Sequence, residues 1–443
     1  MRIGIVGGGM AGLMAAYRLG QAGHQVSVYE AQPSLGGQAG TFPIAGNRLE
    51  HFYHHIFHSD LAVLDLIDEL GLSDRLVWHH NRSGYFYGGR IHDFVTPLDL
   101  IKFKPLPFLS RIILGVQTLW LQHFGDWRKL ERITAKEWLL KRGTRPIYDV
   151  VWGALLRGKF GDLDERVNMA WLSTKIQVRR AHNGGEWHES LGYVMGSLQL
   201  LIDGLERRIR ANGGSIHTSA PVERVHVVEG RCTGLTYTEN GTSFTDDLDA
   251  VIMTVGSHVA LQIAPDMPND YRRLLEVQRY QGAIVLVATM DRSLVDNYWL
   301  SLPEHDIPLV VALEHTNFIE PEHYQGKRIL YLSNYVSPEH PQFHMSKEEL
   351  LELYEPTLRR LNPAFRLDWI NESWLFKDRF GQPVFDVNYS QRIPSHETGI
   401  KGLYLANTSQ IYPEDRGVNF ALRLGETITT IVQGGTARAS LRW

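Results

Sequence analysis

The 443-residue sequence is poor in cysteine and in long apolar runs. Its one cysteine, Cys232, excludes an intrachain disulfide and a thiolate metal cluster, and agrees with a reducing compartment. Cys232 follows a glycine in a strand-like run, so we expect an ordinary core or edge residue. The longest apolar run, Ile112 to Leu121, contains Gln117 and Thr118 and is too short to span a bilayer.

The sequence also has little excess of charge of either sign. The formal net charge is −4, which argues against nucleic acid as a general partner. A hydrophobic content of 43% and a charged content of 21% are typical of a globular protein, and the length leaves room for two or three domains. A strand-like run begins at Arg2, so we expect no signal peptide and a cytoplasmic location.

What the chain does have is a complete nucleotide-binding pattern at its N-terminus. The pattern is strand, glycine turn, helix, strand and acid, formed by Ile3–Val6, Gly7–Gly12, Leu13–Ala22, Val26–Tyr29 and Glu30. Gly7 permits the tight turn, Gly9 lets the backbone approach a pyrophosphate, and Gly12 lets helix and strand pack closely. The order of these elements predicts a dinucleotide site.

The start of the helix and the acid complete this site. Met10 and Ala11 lie in the glycine turn just before the helix, whose unpaired N–H groups and dipole favour phosphate, and they would also lie at the cofactor. Glu30 follows Gly12 by 18 residues, where a carboxylate accepts hydrogen bonds from ribose hydroxyls. Six and seven residues later, Gly36 and Gly37 leave the backbone free of side chains as it turns back over the pyrophosphate.

The C-terminal region has a second glycine-marked helix start. An apolar run, Gly402–Ala406, leads to Asn407 and a polar loop, and Arg416, Gly417 and Val418 precede another helical stretch. Together the two ends resemble the FAD-containing amine oxidase superfamily, which includes protoporphyrinogen oxidase, monoamine oxidases and carotenoid desaturases. In that family both ends enclose one FAD, and the last helix points its N-terminus at the flavin ring.

The resemblance extends through Leu70–Trp78, Trp152–Gly161 and Leu191–Leu201 and implies further details. It implies an α/β protein with a Rossmann-like FAD-binding domain of the glutathione-reductase type and an inserted α+β substrate domain. The cofactor would be FAD, with the backbone of Val222 on the adenine and with Ala31, Asn407, Gly417 and Val418 also at the cofactor.

Two positions depart from the family pattern. Asn407-Thr408 replaces a usual Gly-Asp or Gly-Glu; the amide of Asn407 can still bind the ribityl chain or a phosphate, but without charge. Phe52 stands where a Gly-x-His motif has glycine, which would reshape the approach to the flavin. The stretch His55–Asp60 also resembles UDP-galactopyranose mutase, so a non-redox flavoenzyme acting on a sugar nucleotide is the alternative function.

Turn signals and periodicity predict five segments. The FAD-binding domain would comprise 1–80, 191–280 and 396–443; the substrate domain would comprise a helical part at 81–190 and a sheet part at 281–395. Within these segments we expect strand-like runs at Ile216–Val227 and Ile329–Tyr335 and helices at Leu198–Ala211 and Lys347–Leu361.

Three residues are candidates for catalysis. His54 or His55 would lie near the flavin and donate a hydrogen bond or act as acid or base; ordinary packing is the alternative. Arg416 would place positive charge near flavin N1–C2=O, where negative charge develops; an ion pair with Glu414 or Asp415 is the alternative. His51, His54, His55 and His58 have helical spacing, but we expect no metal because nothing completes a site.

Other side chains have two interpretations each. Arg157 and Lys159 would bind an anionic substrate or lie at the surface, and Trp187, Tyr193 and Trp374 would be pocket walls or ordinary core. The sequence has no second G-x-G-x-x-G, so reduced flavin would be reoxidised by oxygen, a quinone or a separate carrier. The substrate would be a small hydrophobic or amphipathic molecule that is dehydrogenated by hydride transfer to flavin N5.

The segment Leu98–Leu121 combines basic and bulky apolar residues. Lys102, Lys104 and Arg111 alternate with phenylalanines at 103 and 108, which suits a peripheral membrane contact on the cytoplasmic face. In the resembled family this region commonly attaches to membranes. A buried helix with a basic edge is the competing interpretation.

Overall fold

The computed structural model describes residues 1–80, 82–182 and 190–436. The strands are β1 (Arg2–Val6), β2 (Gln25–Tyr29), β3 (Thr41–Ile44), β4 (Asn47–Glu50), β5 (Leu76–His80), β6 (Ser83–Tyr87), β7 (Arg90–Asp93), β8 (Ser190–Val194), β9 (Ser215–His217), β10 (Val222–Val228), β11 (Arg231–Glu239), β12 (Thr242–Asp247), β13 (Ala250–Met253), β14 (Tyr280–Met290), β15 (Trp299–Ser301), β16 (Val311–Glu314), β17 (Arg328–Val336), β18 (Ile370–Pro383) and β19 (Leu403–Leu405).

The helices alternate with these strands in the first part of the chain and cluster between β7 and β8. They are α1 (Met10–Gln21), α2 (Leu61–Glu69), α3 (Pro97–Lys102), α4 (Phe108–Phe124), α5 (Trp127–Leu130), α6 (Ala135–Arg142), α7 (Arg145–Ile147), α8 (Gly153–Phe160), α9 (Met169–His182), α10 (Gln199–Ala211), α11 (Ser257–Ile263), α12 (Asn269–Glu276), α13 (Pro341–His344), α14 (Lys347–Leu361) and α15 (Val418–Val432). The helix predicted at Lys347–Leu361 has those bounds.

A parallel sheet carries the N-terminal pattern. Its order is β19-β13-β1-β2-β9, with every neighbouring pair parallel. β1 is central, and Ile3 and Ile5 are fully buried because helices cover the sheet. α1 packs against α15, where a β-carbon added to Gly425 would lie 2.6 Å from the Ala11 carbonyl oxygen. The first and last helices therefore lie side by side on this sheet.

A second, larger sheet of seven strands is mixed. Its order is β18-β14-β17-β16-β15-β6-β7, and its pairs are antiparallel except β15 with β6. α14 covers one face through Leu350, Tyr354 and Leu358. The part expected to be helical, 81–190, also contributes strands, because β6 and β7 extend this sheet. The domain limits themselves stay predictions.

The strand-like run predicted at Ile216–Val227 is two strands. β9 closes the edge of the parallel sheet, whereas β10 begins an antiparallel sheet with β11 and β12. Ser219 between them has φ of 51°, a left-handed conformation that interrupts an extended chain. Ala220 N–H then donates to the Glu30 carbonyl oxygen at 2.8 Å, which ties the turn to the end of β2.

Helices α3 and α4 present apolar surface to solvent. Of fifteen large hydrophobic side chains exposed in the described residues, nine belong to these two helices. Phe108 is 64% exposed, whereas Phe103 is 1% exposed and packs on Tyr85 and Phe94. The sequence grouped Phe103 with Phe108, and for Phe103 that was wrong because the chain turns inward after α3. Across the described ranges, no helix has both the length and the apolarity to cross a bilayer.

Candidate functional site

The glycine turn between β1 and α1 is shaped by contacts that exclude side chains. Gly7 has φ of 107°, and a β-carbon on Gly12 would lie 2.1 Å from the Gly7 carbonyl oxygen. At Gly9, by contrast, the nearest atom to an added β-carbon is the Gly37 α-carbon at 4.0 Å. Gly7 and Gly12 are thus required by the fold, while space remains beside Gly9.

The second glycine pair lies directly on this turn. Gly36 N–H donates to the Gly8 carbonyl oxygen at 2.8 Å, and Gly36 and Gly37 have φ of 109° and 56°. Gly9 caps α1, whose first turn contains Met10 and Ala11 and no acidic residue. Because the first N–H groups of a helix lack intrahelical partners, this end attracts an anion.

Glu30 lies at the end of β2 with its side chain turned toward the glycines. Its Oε2 accepts from Gly8 N–H at 2.6 Å and its Oε1 from Gln32 N–H at 2.8 Å. Ala31 beside it is exposed, and half-buried Val222 lies at the start of β10. The carboxylate is fixed by backbone donors and still has lone pairs for hydroxyl groups.

The N-terminus of α15 approaches the same region from the C-terminal segment. Gly417 caps the helix, and no acidic residue occupies the first turn that begins at Val418. Arg416 Nη1 donates to Gln38 Oε1 at 3.2 Å and its Nη2 donates to the Tyr335 hydroxyl at 3.1 Å. Gln38 Nε2 in turn donates to Asp378 Oδ2 at 2.6 Å. Gln38 therefore links the Gly36–Gly37 segment to Arg416, just before α15, and to Asp378 on β18.

Arg416 retains an unused donor. Its Nε is buried and has no hydrogen-bond partner in the described structure. The ion pair with Asp415 or Glu414 that the sequence left open does not occur among the described contacts, because Asp415 binds Lys159 and Lys175 instead. A buried, unpaired guanidinium donor is costly unless a ligand accepts from it.

Asn407 serves the loop after β19. Its Oδ1 accepts from Ser409 N–H at 3.1 Å and from the Ser409 hydroxyl at 2.7 Å. Its Nδ2 donates to the Val255 carbonyl oxygen at 3.1 Å. The amide predicted to bind the cofactor thus has protein partners at both ends, and it positions the loop in which it lies.

The histidine segment is a loop rather than a helix. His54 Nδ1 donates to the Phe52 carbonyl oxygen, so Nε2 carries the lone pair in the neutral ring. Burial lowers the pKa of His54 to about 4, and the charge of Arg416 adds to this effect. His55 lies 4.9 Å from Phe57 and 6.2 Å from Trp299, measured between ring centres. His54 can accept a proton but cannot donate one through Nε2.

No group of three or more metal-ligand residues occurs in the described ranges. His58 is exposed and stacks on Trp78. The candidates for substrate binding and pocket walls contact other parts of the protein. Lys159 forms a largely buried ion pair with Asp415 rather than lying at the surface, and the Tyr193 hydroxyl donates to Glu50. Trp374 packs on Phe42, and Trp187 lies outside the described residues.

The residues present fit FAD. The nearest atom to a β-carbon added at Gly9 is 4.0 Å away, the first turns of α1 and α15 lack acidic residues, and the buried Arg416 Nε lacks an acceptor. The sequence did not point to Gln38, Asp378 or Tyr335. They are separated from Arg416 by long stretches of chain, and no local pattern marks them.

Comparison with known proteins agrees with this geometry. The family model described as flavin containing amine oxidoreductase matches residues 10–421. A zeta-carotene desaturase from Synechocystis sp. is 36% identical over 303 residues, covering 61% of this chain and 59% of the relative. A second such enzyme, from Synechococcus elongatus, is 40% identical over 125 residues, 27% of this chain and 25% of the relative. The chain thus matches less than two thirds of either relative.

Solved structures show the same fold at low sequence identity. A protein from Exiguobacterium sp. 255-15 assigned as a protoporphyrinogen oxidase has a TM-score of 0.76 and 17% identity, covering 98% of both chains. Reduced UDP-galactopyranose mutase has a TM-score of 0.75 and 15% identity, covering 98% of this chain and 95% of the other. The predicted α/β FAD-binding fold and the FAD cofactor are confirmed. The chain belongs to the family of flavin-containing amine oxidoreductases.

Proposed function

We propose that the chain dehydrogenates a hydrophobic or amphipathic organic substrate. FAD, when bound, supplies the chemistry by accepting a hydride at N5. The observation that carries this proposal is the set of hydrogen bonds made by Gln38. These bonds bring the Gly36–Gly37 segment close to Arg416 and to the N-terminus of α15. A cofactor held there would have its phosphates at α1 and its ring at α15.

We propose these cofactor contacts residue by residue. Gly7, Gly9, Met10, Ala11 and Gly12 would hold the pyrophosphate, with Gly36 and Gly37 above it. Glu30 and Ala31 would bind the ribose and Val222 the adenine. Gly417 and Val418 would face the flavin ring, with Asn407 ordering the loop before them. Arg416 would use its unpaired Nε for a flavin oxygen, where its charge opposes the negative charge gained with a hydride.

Aromatic side chains support an apolar substrate. Tyr53 meets Trp299 edge to face at 5.1 Å between ring centres, and His51 stacks on Phe376 at 4.3 Å. These rings are packed next to the His54–His55 loop. The relatives' names favour an isoprenoid polyene among the substrate classes that the sequence leaves open. His54, neutral and with its lone pair on Nε2, would accept a proton, and oxygen, a quinone or a separate carrier would take the electrons.

A substrate screen tests the reaction. The FAD-loaded protein is mixed anaerobically with isoprenoids, tetrapyrroles, amines and sugar-linked lipids while absorbance at about 450 nm is followed, because the flavin itself reports hydride transfer. We expect bleaching with one apolar class and recovery on admission of an acceptor. Bleaching with no class, despite bound FAD, contradicts the proposal.

The alternative function has its own signature. A UDP-galactopyranose mutase-like enzyme would isomerise a UDP-sugar only after reduction by dithionite and would leave the flavin reduced. His58, within the segment that carries this likeness, is exposed and stacks on Trp78 at 3.6 Å. We therefore expect no isomerisation, and turnover of UDP-galactose by the reduced protein would replace dehydrogenation as the function.

We also propose that α3 and α4 bind the surface of an anionic membrane. Leu98, Phe108, Leu109, Val116 and Phe124 are each at least 62% exposed on these helices. Lys102 and Lys104 are exposed at the same end, which suits anionic headgroups. Arg111 instead donates to the carbonyl oxygens of Leu106 and Ile101, so it stabilises the turn between the helices. A cytoplasmic protein held there would take an apolar substrate directly from the bilayer.

Liposome sedimentation tests this surface. Phe108→Ser combined with Leu109→Ser should reduce binding to vesicles containing anionic lipid, and added salt should weaken wild-type binding. Phe244→Ser, at an exposed phenylalanine on β12, is the matched control and should bind like wild type. Equal binding by both variants, with FAD content unchanged, would remove the membrane proposal.

A further inference from the structure

A partly buried ion cluster lies immediately before the cap of α15. Asp415 Oδ2 binds Lys175 Nζ at 2.6 Å and also binds Lys159 Nζ. Its Oδ1 accepts from Gln382 Nε2 at 3.2 Å and from Arg416 N–H at 3.1 Å. The side chains of Asp415, Lys159 and Lys175 are 13%, 15% and 28% exposed. One carboxylate thus holds two ammonium groups largely out of water.

The charges in this cluster do not cancel. Lys159, Lys175 and the adjacent Arg416 oppose Asp415, and Gln38 links Asp378 to Arg416 by hydrogen bonds. The two lysines oppose each other's charge, and Asp415 is what holds them together: their approach lowers the pKa of its carboxyl. With both lysines protonated and Asp378 counted, the group carries one net positive charge in surroundings that solvent screens weakly.

This net positive charge lies next to the N-terminus of α15, which we propose faces the flavin ring. Asp415 precedes Gly417 by two residues, a span of at most about 7 Å between α-carbons. Lys159 comes from α8 and Lys175 from α9, and each ammonium lies 5.6 Å from the centre of the Trp171 ring. Packing on Trp171 limits how far either lysine can move from the cap.

We infer that Lys159 and Lys175, held by Asp415, are positioning charges that raise the reduction potential of the bound FAD. The inference rests on the proposed cofactor site. A hydride carries two electrons and one proton, so its acceptor gains one negative charge. A fixed positive charge nearby favours that state over the oxidised one. The same charges would favour any anion that adds at flavin N5.

The alternative is that the cluster only fastens the C-terminal segment to α8 and α9. The two explanations predict different signs for the change in reduction potential of the bound FAD. If charge matters, Lys175→Met should lower the potential and Asp415→Asn, which removes a negative charge at similar volume, should raise it. If the cluster only fastens the chain, both variants lose the same contact and should change the flavin in the same direction.

The measurement is made on purified FAD-loaded protein without substrate. Sulfite, which adds to oxidised flavin as an anion, is titrated by absorbance, and the two-electron potential is measured against a redox dye. We expect sulfite affinity to fall about tenfold in Lys175→Met, equivalent to about 30 mV, and to rise in Asp415→Asn. Lys175→Arg should stay near wild type. Lys136→Met, at a lysine paired with Glu165, is the matched control.

The outcomes separate the two proposals. Protein that takes up no FAD defeats both the proposed function and this inference. Bound FAD with an unchanged potential in Lys175→Met, or shifts of the same sign in the lysine and aspartate variants, defeats the inference alone. Should Lys175→Met fail to fold, Lys159→Met paired with Asp415→Asn provides the same comparison of sign.

Discussion

Glu50, at the end of β4, is a buried carboxyl group without a cation. It is 1% exposed and forms no ion pair among the described residues. Its Oε1 accepts from Leu198 N–H at 2.8 Å and its Oε2 from the Tyr193 hydroxyl at 3.3 Å. Burial raises the pKa of Glu50 from 4.5 to about 7, because these donors only partly replace water around the charged form.

The consequence for stability follows from proton linkage. Between pH 4.5 and about 7 the unfolded chain has lost the Glu50 proton and the folded chain has kept it, so stability falls as pH rises. Above about pH 7 the cost is constant at about 3 kcal/mol, from 1.36 kcal/mol for each pH unit. Glutamine keeps an acceptor for Leu198 and does not titrate.

We therefore expect Glu50→Gln to be more stable than wild type at pH 8 and nearly equal at pH 5. An unfolding entropy near 2.1 cal/mol/K per residue makes 3 kcal/mol about 3 °C in Tm for a chain of this length. Thermal unfolding across this pH range, with FAD in excess in every sample, measures the difference.

A matched variant tests the sign. Arg18 lowers the pKa of Glu69 through a hydrogen bond at 2.8 Å, so Glu69→Gln should lose stability at pH 8 relative to pH 4. A Glu50→Gln protein that is destabilised equally at every pH would refute the reasoning, because it would mean that Glu50 is needed as a charged acceptor.

Two further predictions concern the cofactor site. Gly9→Val should fold yet bind no FAD, because its side chain fills only the open space, whereas Gly12→Ala should lose stability through its clash with the Gly7 carbonyl oxygen. Absorbance near 450 nm measures bound FAD, and thermal unfolding measures stability. A yellow Gly9→Val protein would contradict the assignment of Gly9 to the cofactor site. His54, with its pKa lowered to about 4, is neutral from pH 5 to 9, so the rate of flavin reduction in wild type and His54→Gln should vary with pH in the same way over that range. An inflection between pH 5 and 9 that disappears in His54→Gln would show a charged histidine instead.

The glycine positions could be predicted because their constraints are local. Gly7, Gly12 and Gly36 are set by φ angles and by contacts with backbone atoms, and such requirements leave a readable pattern in the sequence. The helix at α14 was equally accessible, since Ser346 and Glu349 form a capping box at its start.

The charged contacts around Arg416 could not be read in this way. Gln38 and Asp378 are 340 residues apart in sequence, and Asp415 is 256 residues from Lys159. Such pairs arise only when segments distant in sequence pack together, so neither periodicity nor spacing encodes them. Phe103 and Phe108 show the same limit at short range, because the turn after α3 decides which of them faces solvent.

The order of strands in the parallel sheet governs when this protein can fold. β1 is made well before one of its two neighbours, β13, which begins at residue 250, and β19 and α15 follow after residue 400. At 5 to 20 residues per second, roughly 20 to 90 s separate synthesis of β1 from that of α15. The edge of β1 that pairs with β13 stays unpaired through much of that time, and an unpaired strand edge is prone to aggregation. The proposed cofactor site can therefore be completed only after α15 is made, long after synthesis of the glycine turn that follows β1.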